Sequence, residues 1–129
     1  MNYEIVTTED FDKEVKILAK KYRSIPDDLV KFKKELLKNP ESGDDLGDNV
    51  RKVRMAITSK NRGKSGGARI ITCAVLFGIE AADIYLLTIY DKDKQQSISK
   101  KEIKYLKEKN GLAMSTFPER RPSVSSREQ

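Results

Sequence analysis

From Val50 to Thr58 the chain alternates with a period of two. Val53, Met55 and Ile57 fall on one side, and Lys52, Arg54 and Ala56 on the other. Successive side chains of a β-strand point to opposite faces, so this pattern describes a strand with one face in a core and the other in water. A sheet covered on one face only is characteristically antiparallel, whereas parallel sheets are buried on both faces. Two more strands follow, Ala68 to Phe77 and Asp83 to Tyr90, and the unbroken apolar run of the latter suits a central position. Their short links imply an antiparallel meander.

Upstream of the meander the period changes. Tyr3 to Thr7 is short and β-prone, and Thr7 and Thr8 can cap a helix whose first turn holds Glu9 and Asp10. Phe11, Val15, Leu18, Ala19 and Tyr22 recur at helical spacing. Pro26 suits the first turn of a second helix, Leu29, Phe32, Leu36 and Leu37 form its apolar stripe, and Asn39-Pro40 ends it. Residues 41–49 read as an acidic Gly/Asp loop and 59–67 as a polar connection with glycines. Ser99-Lys100-Lys101-Glu102 matches a capping box and opens a third helix that ends near Asn110-Gly111. The expected order is β-α-α-β-β-β-α, an α+β fold with an αα-hairpin on one face of an antiparallel sheet and the other face partly open. The expected domain is 1–110. Residues 111–129, with Pro118, Pro122 and several serines, are expected to form a disordered tail.

A chain of 129 residues, 37% hydrophobic and 36% charged, suits one domain with a lean core and a heavily ionic surface. Cys73 is the single cysteine, so an internal disulfide and a thiolate metal cluster are excluded, and its apolar run, Ile70 to Leu76, marks it as buried. The chain has no histidine, which removes the commonest acid–base group and the commonest metal ligand. No metal or cofactor is expected. The acidic start, Met1-Asn2-Tyr3-Glu4, lacks the apolar region of a signal peptide, and no run is long enough to span a bilayer. The expected location is a reducing cytoplasm.

The net charge of +6 is spread unevenly. Residues 51–69 hold Arg51, Lys52, Arg54, Lys60, Arg62, Lys64 and Arg69 and no Asp or Glu, while the first 50 residues carry more acids than bases. Ordinary surfaces intersperse the two signs. A one-sign stretch across a strand, a loop and the start of the next strand defines a cationic patch fit for a phosphodiester backbone, where arginine offers a planar fork and lysine a point charge. No aromatic ladder accompanies it, so base stacking is not indicated. Two other motifs fail on their surroundings. Gly63-Lys64-Ser65 resembles the end of a Walker loop, but Thr58 stands where its first glycine belongs and a strand follows in place of a helix. Asp91 to Glu102 has calcium-loop spacing, but Gln96 stands at the glycine position and a strand precedes it.

The segments Lys52-Val53-Arg54-Met55-Ala56-Ile57, Ser59-Lys60 and Gly63-Lys64-Ser65-Gly66-Gly67-Ala68-Arg69-Ile70-Ile71-Thr72, with Leu86-Leu87-Thr88-Ile89-Tyr90-Asp91-Lys92, resemble the RelE/ParE toxin superfamily and most closely its HigB-like branch. The similarity spans residues 3 to 109. It implies a microbial-RNase-like fold, a cognate antitoxin (a helix-turn-helix protein that carries the toxin to operator DNA) and ribosome-dependent cleavage of messenger RNA. It places Lys52, Arg54 and Arg69 where the family's strand cations orient the message.

The expected reaction is a metal-independent transesterification. Arg54 and Arg69 stabilise charge on the phosphate oxygens, Lys52, hemmed in by like charges, serves as general base, and Tyr90 or Lys92 protonates the leaving oxygen. Arg51, Lys60, Arg62 and Lys64 are expected to bind RNA. Two other readings remain open. One is a ParE-like inhibitor that binds DNA gyrase without catalysis, and the other a degenerate toxin that only binds its antitoxin.

Overall fold

The structure, a computed structural model, describes residues 2–61, 63 and 66–112. The chain divides between Ile98 and Ser99 into two units. The first contains β1 (Asn2–Thr7), α1 (Glu9–Lys21), α2 (Ile25–Lys38), β2 (Asp44–Gly47), β3 (Val50–Met55), a 3₁₀ turn (Thr58–Lys60), β4 (Ala68–Leu76) and β5 (Ala81–Asp91). The strands form one sheet in the order β1-β5-β4-β3-β2.

The α+β class and the helix pair match the sequence, and the sheet differs in two respects. β1 pairs with β5 in parallel, so the sheet is mixed. The acidic segment expected to be a loop supplies a fifth strand, β2, antiparallel to β3. All four of its residues are exposed, so it has no apolar alternation to reveal it. Its cause is the turn. Asp48 and Asn49 both adopt positive φ, 54° and 64°, the left-handed pair that folds a two-residue hairpin with the twist of its strands.

One face of the sheet carries the main core. Phe11 and Leu18 of α1 and Ile25, Leu29, Phe32 and Leu36 of α2 pack with Val53, Met55, Ala68, Ile70, Ile84, Leu86 and Ile89. These are the inward positions of the alternation. The register of β4 on β5 shifts at Ile71/Thr72, where Leu87 is the extra residue of a bulge, and such a residue adds local twist. Cys73 is buried, as its apolar run implies.

Thr8 ties α1 to the sheet. Its hydroxyl accepts from the Phe11 amide at 3.2 Å, capping the helix, and lies 2.9 and 3.2 Å from the Leu86 and Leu87 carbonyls, to which it donates. Thr8→Ala removes the cap and leaves buried groups unsatisfied. It is expected to lower stability by about 1–2 kcal/mol, read as a shift in the urea midpoint with unchanged slope.

The second unit contains α3 (Lys100–Lys109). Ser99 is its N-cap, accepting from the Glu102 amide at 3.0 Å, and Gly111 follows its end at φ 73°. Ile103, Leu106 and Lys107 are buried. The expected disordered tail lies, from Ala113 onward, outside the described residues. No helix among the described residues is long and apolar enough to cross a membrane.

Candidate nucleic-acid interface

The face opposite the helix pair carries a cationic row. In β3, β4 and β5 the residues Arg54, Arg69 and Tyr90 are direct cross-strand partners, so they stand side by side across three strands. One step along, Lys52 pairs with Asp44 on one side and Ile71 on the other. Asp44, Lys52, Arg54, Arg69, Lys92 and Gln96 line a single recess of about 230 Å³. Arg54 is exposed, Lys52 and Lys92 are half-buried, and Arg69 is only 5% exposed. The Arg69 guanidinium donates to the Ala68 carbonyl at 3.2 Å.

Like charges placed directly opposite each other on neighbouring strands destabilise a sheet. The Arg54–Arg69 pair carries that cost in every molecule, and an anion held between the two arginines would offset it. Among the described residues, the side chains of Lys52, Arg54 and Lys92 make no ion pair or hydrogen bond to an acid of the same chain.

Backbone contacts fix the row. Gly67 precedes Arg69 at the point where β4 meets the end of β3. A Cβ at Gly67 would collide with the Met55 carbonyl and the Ile57 amide, so glycine permits the approach that sets Arg69 beside Arg54. Beyond the ladder, the Lys92 amide donates to the Gly67 carbonyl at 3.0 Å and carries Lys92 to the rim of the recess.

A buried polar network anchors the same strand ends. Lys60 Nζ lies 2.9 Å from Asp91 Oδ1 and 2.7 Å from Asp93 Oδ2, and donates to the Gly66 carbonyl at 2.9 Å. Tyr22 donates its hydroxyl to Asp91 Oδ2 at 2.7 Å, and the Lys60 ammonium stands 5.3 Å from the Tyr22 ring centre. Burial alone would raise the Asp91 carboxyl, but hydrogen bonds from Lys60, Tyr22 and the Asp93 amide, with the charge of Lys60, outweigh it and lower its pKa. Burial would lower Lys60, but its bonds to Asp93 and Asp91 and the charge of Asp91 leave it raised. The bond to Asp91, then burial, raises Tyr22.

The expected site residues therefore separate. Lys52, Arg54, Arg69 and Lys92 converge on the recess, whereas Tyr90, the cross-strand partner of Arg69, is buried and is not among the residues that line it. Lys60 does not belong to the cationic face, because its side chain, 6% exposed, is committed to Asp91 and Asp93. Arg51 does not belong to it either. Its neighbours in sequence alternate away from it, and it bonds the Glu41 and Gly43 carbonyls at 2.8 and 3.3 Å and pairs with Asp45 at 3.8 Å. Arg62 and Lys64 lie outside the described residues. Two lining residues, Asp44 and Gln96, escape a sequence reading. The Asp48-Asn49 turn signal finds β2 but not the residue: counting back from the turn sets Asp45 opposite Lys52, and the register shift between Asp45 and Gly47 puts Asp44 there instead. Nothing in the sequence marks the second.

The described residues thus form a small α+β unit that covers one sheet face with a helix pair and lines up cations on the other. Residues 5–119 match the family model described as the RelE toxin of the RelE / RelB toxin-antitoxin system. The chain belongs to the RelE toxin family. It is the toxin of a toxin–antitoxin pair, and an antitoxin is its partner.

Proposed function

We propose that the protein is an endoribonuclease that cleaves messenger RNA on the ribosome and so arrests translation. One observation carries this reading: two arginines held in direct cross-strand register, with Lys52 and Lys92 beside them, around a recess open to solvent. Four cations converging there favour a phosphodiester and the extra negative charge it gains during cleavage. The RNA 2′-hydroxyl attacks the adjacent phosphorus and gives up its proton. The bond to the 5′-oxygen breaks, and that oxygen takes a proton from Lys92 or Tyr90. The products are a 2′,3′-cyclic phosphate and a 5′-hydroxyl end. Arg54 and Arg69 stabilise the phosphorane. Ribosomal RNA and the message would complete the site, which places the protein in the cytoplasm.

The antitoxin, in this reading, lays acidic residues over the row and blocks it. The test is purified protein with translating ribosomes and a defined message, with ends mapped at nucleotide resolution, beside a gyrase supercoiling assay. The expected result is cleavage inside the decoded region with supercoiling unaffected. Intact message together with inhibited supercoiling would point instead to a non-catalytic gyrase inhibitor. Intact message and normal supercoiling, without growth arrest on expression, would point to a chain that only binds its antitoxin.

A further inference from the structure

We infer that Asp44 accepts the proton of the attacking 2′-hydroxyl, the role that sequence reasoning gives to Lys52. The inference rests on the ribonuclease reading of the same recess. Asp44 is the only carboxylate among the described residues that line it. The neighbouring acids are committed elsewhere: Asp45 pairs with Arg51, and Asp91 and Asp93 hold Lys60. Asp44 itself is exposed and its side chain, among the described residues, makes no hydrogen bond or ion pair, although Lys52 is its cross-strand partner. Its carboxylate is therefore available to a ligand.

The backbone holds Asp44 in that place from two sides. Gly43, at φ 88°, packs so closely on β3 that a Cβ there would collide with the Lys52 carbonyl. Arg51 binds the Glu41 and Gly43 carbonyls that lead into β2.

The electrostatics favour this assignment over lysine. A lysine must first give up its own proton before it can act as base, so the recess would receive the phosphate with one positive charge fewer, whereas a carboxylate starts as a proton acceptor. With Asp44 as acceptor, Lys52 keeps its charge throughout the attack on phosphorus. The carboxylate repels the phosphate in the ground state, and that repulsion vanishes as it takes the proton. The gain thus appears in the transition state, where it accelerates the step. The balance is complete. The proton passes from O2′ to Asp44, the O2′–P bond forms, the P–O5′ bond breaks, and the leaving oxygen is protonated by Lys92 or Tyr90.

The experiment compares wild type with Asp44→Asn and Asp44→Ala in single-turnover cleavage of ribosome-bound message, with and without added sodium formate. Circular dichroism melting checks the fold of each variant. The expected result is a drop of about 100-fold or more in the cleavage step, little change in ribosome affinity, and partial recovery of Asp44→Ala by formate. A second substrate carries sulfur at the 5′ leaving position. Sulfur leaves without an acid, so it should rescue Lys92→Ala and leave Asp44→Asn impaired. Cleavage by Asp44→Asn within about threefold of wild type, or a loss confined to affinity, would overturn the assignment while the ribonuclease reading stands. A wild type that cleaves no message would overturn both.

Discussion

Arg69→Ala is expected to lower ribosome-dependent cleavage by about 10²–10³-fold in the chemical step, the usual cost of removing one charged donor from a developing oxyanion. Of the cations in the recess, Arg69 is the most buried and stands in the middle strand, between Arg54 and Tyr90. At 5% exposure its charge has the least water to screen it. Arg69→Lys keeps the charge and loses the planar fork. It should recover only part of the rate, because a point charge cannot bond two phosphate oxygens at once. Both variants are to be assayed by single-turnover cleavage with saturating protein, beside thermal melts. The alanine variant also removes the Arg54–Arg69 repulsion, so its melting point should fall less than truncation of a buried side chain ordinarily causes. Undiminished cleavage by Arg69→Ala would remove the row from the chemistry.

The largest effect on stability is expected at Lys60. Lys60→Met keeps the stem and deletes the ammonium, leaving Asp91, almost fully buried, without its ion-pair partner. Stripping one partner from a buried pair costs about 3 kcal/mol or more, far above the cost of an exposed pair. Chemical denaturation at neutral pH reads this directly. The pH dependence supplies a second check. The Asp91 carboxyl is held below its ordinary range in the folded protein, so its contribution is present above its unfolded pKa and is lost as pH falls through the folded value. Lys60 and Tyr22 are raised, so theirs are present below their unfolded values and are lost as pH rises through the folded ones. Wild-type stability contributed by the network should thus be flat across the neutral range. In Lys60→Met the buried Asp91 can escape its penalty by protonating, so the gap between variant and wild type should narrow in acid. A gap that widens in acid would show that Asp91 is not the group left stranded.

Most of the framework was legible because it rests on burial. The alternation of Val53, Met55 and Ile57, the helical spacing of Phe11, Leu18 and Tyr22, and the helix caps at Thr8 and Ser99 each report one physical preference, and each holds in the structure. What escaped rests on pairing between distant residues. β2 has no buried side chain, and β1 finds its parallel partner about 80 residues away, a distance over which no local pattern acts. The site divides along the same line. Alternation placed Lys52 and Arg54 on one face, and the register then brought Arg69 beside them. Lys60 was misread because the charge count stopped at residue 69, while the acids that claim it, Asp91 and Asp93, lie at the end of the last strand. Arg51 was misread because a run of cations in a strand must divide between two faces.

The pairing of the first strand with the fifth has a consequence for synthesis. The sheet edge at Asn2–Thr7 closes only on Ala81–Asp91, and Tyr90, the outermost member of the row, arrives with that same strand. A chain emerging in order, amino end first, thus holds its opening strand unmatched until the final one has been made. No nascent product that stops short of Asp91 can assemble the whole row, so whatever harm the finished protein does begins only after β5 has been made.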